Sequence, residues 1–152
     1  MTTSLCTVLE DKPSGSDINA IVQGLLAFNQ TRTNGATPEY LVATVRDSEG
    51  KMLGGVVGAA YVSWLQVSAL WLQEELRGQG YGSALMALIE EAAIQRGCTK
   101  AFLETFDFQA LPFYEKRGYA VFSRLPDFPP GGARYALTKA LQAGVTRKLL
   151  GG

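Results

Sequence analysis

The sequence has 152 residues, of which 47% are hydrophobic and 18% charged, a composition that excludes a disordered or fibrous chain and predicts one globular domain. Fourteen basic and fourteen acidic side chains cancel, so we predict no nucleic-acid partner, which would need a basic surface. The longest apolar run, MLGGVVGAAYV, is too short to cross a bilayer, and the N-terminal residues lack the pattern of a secretory signal. A cytoplasmic protein with no membrane partner is therefore predicted.

Histidine is absent from the sequence, and the cysteines are Cys6 and Cys98. Their separation fits neither a zinc site nor a disulfide framework, so we predict free thiols. Without histidine, Ser-His-Asp and Cys-His catalysis are both excluded. Any acid or base in this protein must be a carboxylate, tyrosine, lysine, cysteine or water.

The first part of the chain is predicted to contain a strand, a helix and a hairpin. Residues 4–11, SLCTVLED, read as a short strand, and residues 17–30 have the period of a helix with Ser16 as its N-cap. The apolar face of this helix comprises Ile18, Ile21, Val22, Leu25, Leu26 and Phe28. Strands at residues 41–47 and 51–63 flank the polar turn DSEG and should pair antiparallel.

A strand-helix-strand unit occupies the centre of the chain. Strands are predicted at residues 65–76 and 101–106, with a helix at residues 82–97 between them. The buried face of that helix is predicted to comprise Leu85, Leu88, Ile89 and Ala92. Such a unit, over residues 66–106, should be a right-handed crossover between parallel strands.

A short helix at residues 109–118 and two strands, at 119–125 and 133–141, complete the predicted elements. Their order predicts an α/β (α+β) fold, in which a single mixed, mostly antiparallel sheet with a central parallel strand-helix-strand unit is flanked by helices. We expect a single domain over residues 1–141, followed by a short C-terminal tail at residues 142–152.

The turn that enters the central helix, LRGQGYGSALM at residues 76–86, carries Gly78, Gly80 and Gly82 behind Arg77. Unpaired N–H groups and the helix dipole make such a helix start an anion site, and glycines let the main chain approach a phosphate. A tight turn needed for packing alone is the alternative. A Walker A loop does not fit, because Gly-Lys-Ser/Thr is missing, and the dinucleotide fingerprint fails at Ser83, where its last glycine belongs.

Two segments together resemble the signatures of the GNAT superfamily of acetyltransferases. The acyl-CoA-binding signature, Arg or Gln, two residues, Gly, one residue, then Gly or Ala, is matched by Arg77, Gly80 and Gly82. DFQALPFYEKRGYAVF, at residues 107–122, is similar to the family's later segment, except that Asp107 replaces an asparagine. The order of strands and helices also resembles the family over about residues 5–140. We therefore identify the sequence as a member of the GNAT superfamily, and this resemblance implies a GNAT fold.

The resemblance implies acetyl-CoA as the acetyl donor and no metal. It places the pyrophosphate on the main-chain N–H groups of residues 77–83 and the pantetheine arm beside residues 70–72, with an N–H near Leu72 facing the oxyanion. Asp107 has a second interpretation, as the cap of the helix that begins near Gln109. The implied cofactor-binding residues are Leu70, Trp71, Leu72, Arg77, Gly78, Gln79, Gly80, Tyr81, Gly82, Ser83, Asp107, Ala110, Phe113 and Tyr114.

Tyr114 and Glu104 are the predicted catalytic residues. The family assigns protonation of the leaving thiolate to the tyrosine that matches Tyr114; the alternative is a buried aromatic ring that packs beside Phe113. Glu104, or Gln66 on the preceding strand, is a candidate to contact the acceptor amine or to order a water. Strand alternation alone does not decide which of them faces the pocket, and a solvated or core-capping Glu104 stays an open alternative.

The predicted reaction is transfer of the acetyl group to a primary amine of a small molecule or peptide, by direct attack in a ternary complex. A non-catalytic acyl-CoA-binding sensor or regulatory module is the alternative, and a nucleotide-dependent oxidoreductase is disfavoured because the ribose-binding acid is missing. The resemblance also allows a homodimer. Eight residues have open interpretations: each is predicted to line the acceptor site or, alternatively, to belong to the core or to a dimer edge. They are Tyr61, Trp64, Trp71, Phe106, Phe108, Arg124, Asp127 and Arg134.

Overall fold

The computed structural model describes residues 3–142 and falls into two compact units, one ending at Thr37 and the other beginning at Pro38. In the first unit, α1 spans Gly15–Gln30, and the side chain of its N-cap, Ser14, accepts a hydrogen bond of 3.1 Å from the Asp17 N–H. The prediction of Ser16 as the cap is therefore wrong. None of the residues of α1 is buried.

The strand predicted at residues 4–11 is not formed in this unit. Residues 3–10 have no regular secondary structure, and Leu5 and Leu9 are both 90% exposed. The reason is that the described residues of the unit offer no other strand with which this segment would pair its main-chain groups.

The second unit contains a sheet of six strands within residues 38–142, in the order β1-β2-β3-β4-β6-β5. The strands are β1 Glu39–Arg46, β2 Met52–Tyr61, β3 Trp64–Leu72, β4 Lys100–Phe106, β5 Ala120–Pro126 and β6 Ala133–Ala140. β3 and β4 are parallel, and every other neighbouring pair is antiparallel. After a 3₁₀ turn at Glu74–Leu76, α2 (Tyr81–Gln95) connects β3 to β4, and α3 (Leu111–Glu115) follows β4. The predicted mixed, mostly antiparallel sheet is confirmed.

α2 packs one of its faces across β1, β2 and β3. Its buried residues are Gly82, Leu85, Met86, Ile89, Glu90 and Ala93. They follow the i, i+3, i+4, i+7, i+8 and i+11 spacing of a single helical face. The predicted face is wrong at Leu88, which lies on the other side of the helix and is 56% exposed. Ala92 lies at the flank of the face and is half-buried.

A buried polar network joins α2 to β6. The Glu90 carboxylate accepts a hydrogen bond of 2.7 Å from the Tyr119 hydroxyl and bonds of 2.9 and 3.1 Å from Lys139 Nζ. Burial, followed by the negative charge of Glu90, raises the pKa of Tyr119 far above its ordinary value, so this phenol stays a hydrogen-bond donor. The network fixes the position of the helix that carries the glycine turn.

We expect Lys139→Met to lower the free energy of unfolding by about 2 kcal/mol, because it leaves the Glu90 carboxylate buried without its cation. The Lys139 and Glu90 side chains are only 25% and 11% exposed. Urea denaturation followed by circular dichroism measures the change, with Lys116→Met, at an exposed position, as the control. Equal stability of the two variants would show that the network contributes nothing to the fold.

Candidate active site

The central parallel strands separate part-way along their length. β3 and β4 pair from Trp64 with Lys100 to Val67 with Leu103, and no further. At this point Val57 of β2 lies opposite Ala69 and Gly58 lies opposite Val67, which leaves Ser68 as an extra residue. Such a β-bulge bends its strand and increases the local twist, so the bulge at Ser68 accounts for the divergence of β3 from β4.

The divergence opens a cleft of about 550 Å³ between the two strands and α3. Predicted site residues that line it are Leu70, Trp71, Leu72, Arg77, Glu104, Ala110 and Tyr114. The cleft is also lined by residues that were not predicted from the sequence to belong to a site, namely Val67, Ser68, Ala69, Leu103, Thr105 and Gln109. Phe108, predicted as either an acceptor-site or a core residue, also lines it. The cleft does not include the predicted cofactor-binding residues Gly78, Gln79, Gly80, Tyr81, Gly82, Ser83, Asp107 and Phe113.

The first turn of α2 presents main-chain donors without partners in the helix. Gly80 is the N-cap, with a left-handed φ of 89° and no side-chain cap, and the first helical hydrogen bond runs from the Ala84 N–H to the Gly80 carbonyl at 3.0 Å. The N–H groups of Tyr81, Gly82 and Ser83 therefore have no earlier carbonyl to bind. These N–H groups and the positive end of the helix dipole lie where the glycine pattern predicts an anion site.

Gly82, in the acyl-CoA-binding signature, lies against Phe113, in the later family segment. A Cβ added to this glycine would lie 3.1 Å from two atoms of the Phe113 ring, so with a larger residue the ring would have to shift by a few tenths of an ångström. Phe113 is held in turn by Arg117, whose guanidinium carbon lies 3.7 Å from the ring centroid. At the other side of the turn, Arg77 Nε donates to the Leu72 carbonyl at 3.2 Å and ties the loop to the end of β3.

Tyr114 lies in the wall of the cleft and is 8% exposed. Its ring packs edge-on against Phe113 and Tyr119, with centroid distances of 5.2 and 5.9 Å. Burial raises the pKa of the Tyr114 phenol, and the positive charge of Arg117 opposes this shift. The phenol is therefore protonated at neutral pH and is available as a proton donor in the cleft.

Glu104 lines the cleft and forms a salt bridge with Arg134 of β6. The Glu104 and Arg134 side chains are 45% and 34% exposed, so solvent and solutes reach both. Gln66, the other candidate, is exposed on β3 but does not line the cleft. Trp64 is also outside it and packs edge-on against Phe102 at 6.0 Å.

Asp107 does not cap α3, and that prediction is wrong. Its carboxylate accepts a hydrogen bond of 3.0 Å from the Ala133 N–H, and its own N–H donates to the Ala133 carbonyl at 3.0 Å. The N-cap of α3 is Ala110, without a side-chain bond. The antiparallel approach of β6 explains the difference, since it offers Asp107 a partner across the sheet. Gln109 instead accepts from the Phe106 N–H at 2.8 Å and so shapes the turn.

The sequence profile of the acetyltransferase (GNAT) family matches residues 16–119, which is more than half of the chain. The chain belongs to the GNAT family. It is therefore an acetyltransferase, and the family and fold predicted from the sequence are confirmed. Among residues 3–142, no three His, Cys, Asp or Glu side chains are grouped to hold a metal ion. None of the helices in this described part is long and apolar enough to cross a membrane.

Similar proteins include enzymes that act on small molecules. This GNAT chain is 40% identical over 119 residues to blasticidin-S acetyltransferase of Streptomyces morookaense, covering 77% of this chain and 88% of that protein. It is 31% identical to a crystal structure of an acetyltransferase from Bacillus cereus, with a TM-score of 0.75 over 88% of this chain and 98% of that chain. A Bacillus anthracis protein in complex with acetyl coenzyme A is 16% identical, with a TM-score of 0.61 over 70% and 65% of the two chains. At that identity, the likeness shows the fold alone.

Proposed function

We propose that this GNAT chain transfers an acetyl group from acetyl-CoA to a primary amine of a small molecule or peptide, by direct attack in a ternary complex. The observation that carries the proposal is the cleft between β3 and β4, which has Arg77 at its edge and a buried, protonated tyrosine in its wall. The start of α2, with its unpaired main-chain N–H groups, follows β3 after the 3₁₀ turn. A long donor with a diphosphate and a thioester fits this combination.

The cleft and the start of α2 together fit acetyl-CoA in three respects. The N–H groups of Tyr81, Gly82 and Ser83 would bind the pyrophosphate. Beyond Val67, β3 pairs with β2 on one side and, among residues 3–142, with no strand on the other. Apart from the Leu72 carbonyl, which accepts from Arg77, the main-chain groups on that side could bind the pantetheine arm. An N–H near Leu72 would face the carbonyl oxygen, where negative charge develops.

Tyr114 would complete the transfer as a general acid. The amine nitrogen attacks the carbonyl carbon, the carbon–sulfur bond breaks, and the Tyr114 phenol gives its proton to the departing sulfur. The attacking amine loses a proton to water or to a carboxylate, for which Glu104 is the candidate in the cleft. The name of the Streptomyces morookaense relative favours a small-molecule acceptor. A homodimer and a cytoplasmic location stay predictions.

Calorimetry and a thiol-release assay test the proposal. We expect acetyl-CoA to bind and NADH not to bind, and we expect CoA release with at least one amine from a set of polyamines, amino acids, lysine peptides and blasticidin S. Binding of acetyl-CoA without CoA release in the presence of any amine would favour the sensor instead. Preferential binding of NADH would overturn the proposal.

A further inference from the structure

The two faces of β4 carry different chemistry. Ala101, Leu103 and Thr105 are buried on the face that carries the core, whereas Glu104 is exposed and Phe106 is half-buried on the other face. Successive side chains of a strand point to opposite faces of the sheet, so residues at alternate positions of β4 lie on different faces. Tyr114 belongs to the core cluster, so the sheet separates the proposed acid from Glu104, and the cleft is the passage between them.

Aromatic rings cluster on the Glu104 face, at the end of β4. The Phe106 and Phe108 rings are stacked, with centroids 5.2 Å apart and planes 8° apart, and Phe128 meets Phe106 edge-on at 5.4 Å. We call Phe106, Phe108 and Phe128 the ring platform. Phe106 covers one face of Phe108, yet Phe108 lines the cleft and is 68% exposed. An aromatic face at the mouth of the cleft is therefore uncovered.

The ring platform is held by polar bonds. Arg134 lies 5.2 and 5.3 Å from the Phe106 and Phe128 ring centroids, and it pairs with Glu104 Oε2. The reciprocal main-chain and carboxylate bonds between Asp107 and Ala133 fix the loop that carries Phe128 to the end of β4. The Glu104 side chain stays 45% exposed in this pair, so an incoming ammonium group can reach its carboxylate.

We infer that the acceptor is a primary ammonium compound that carries a planar aromatic or heteroaromatic ring. The ring stacks on the open face of Phe108, and the ammonium group is drawn to Glu104 at the mouth of the cleft. The inference rests on the proposed function and adds the class of acceptor. An offset stack contributes more than the burial of area alone, whereas a saturated ring of the same size gains only from burial.

A matched pair of amines tests the inference, namely 2-phenylethylamine and 2-cyclohexylethylamine, which share a carbon framework and differ in the planarity of the ring. We expect the wild-type kcat/KM to be roughly three- to ten-fold higher for 2-phenylethylamine. Phe108→Leu, which keeps an apolar contact without a ring, should bring the ratio close to one. Phe122→Leu, at a phenylalanine of β5 that is 62% exposed and outside the cleft, should keep the wild-type ratio.

Equal kcat/KM for the two amines in the wild-type protein, or a ratio that survives Phe108→Leu, would overturn the inference while the proposed acetyl transfer stands. Binding of both amines to the CoA-saturated protein, measured by calorimetry, gives the same ratio without turnover. If acetyl-CoA binds but no amine, neither of these two nor any of the broader set, is acetylated, the proposed function fails. The ratio of the two dissociation constants then still decides whether the ring platform selects planar rings.

Discussion

Tyr114→Phe is expected to lower kcat by about 100-fold or more, the usual contribution of a general acid, and to leave the dissociation constant of acetyl-CoA unchanged. The variant removes one hydroxyl and keeps the ring that packs against Phe113 and Tyr119. The departing sulfur then leaves as an unprotonated thiolate. Stopped-flow or steady-state thiol release measures kcat, and calorimetry measures binding.

The pH dependence of Tyr114→Phe gives a second, independent readout. Burial raises the pKa of Tyr114 above its ordinary value of 10.0, so loss of the phenol proton should lower the wild-type rate only in strongly alkaline solution. The variant should lack this alkaline decline. Tyr40→Phe, at a tyrosine of β1 that is 77% exposed, is the matched control, and a Tyr114→Phe rate equal to that of the control would remove Tyr114 from the acid role.

Gly80→Ala is expected to raise the dissociation constant of acetyl-CoA by roughly ten- to 100-fold, the value of one hydrogen bond to a charged group. The left-handed φ of 89° at Gly80 is strained for a residue with a side chain. Relief of that strain would rotate the first N–H groups of α2 away from the pyrophosphate. Calorimetry on the folded variant measures the loss.

Gly97→Ala separates this effect from a loss of stability. Gly97, just past the other end of α2, has a φ of 85°, and at both glycines an added Cβ would meet no atom within 4 Å. Both variants should therefore lose stability by a similar amount, about 1–2 kcal/mol. Only Gly80→Ala should bind acetyl-CoA more weakly. Equal affinity of the two variants would show that the glycine turn serves packing alone.

Local chemistry made the central unit predictable. The glycines at residues 78, 80 and 82 mark a turn and a helix start whatever surrounds them, and the helix, strand and mixed sheet followed. The sequence also contains a signal for the divergence of β3 from β4, namely a break in the alternation of buried and exposed residues along the strand. Leu65 and Val67 are followed by Leu70 and Leu72 on the same face, and the three-residue step between Val67 and Leu70 indicates the bulge at Ser68.

Residues whose partners come from distant segments were not predictable. Asp107 has the sequence position of a helix cap, but Ala133 competes for its carboxylate once β6 lies beside β4. The contact between Gly82 and Phe113 and the pairing of Glu104 with Arg134 depend in the same way on how α3 and β6 pack. The prediction for Leu88 was wrong because the wrong helical face was chosen. The buried face of α2 includes Met86 and Ala93 and does not include Leu88.

Amide chemical shifts during a titration with acetyl-CoA test most directly whether the start of α2 binds the diphosphate. In ¹⁵N-labelled protein, we predict that the largest changes occur at the amides of residues 78–83, that titration with pantetheine leaves most of these amides unchanged, and that inorganic pyrophosphate moves them in the same direction as acetyl-CoA. Saturable binding of acetyl-CoA that leaves these amides unshifted, with the largest changes elsewhere in the chain, would contradict the account.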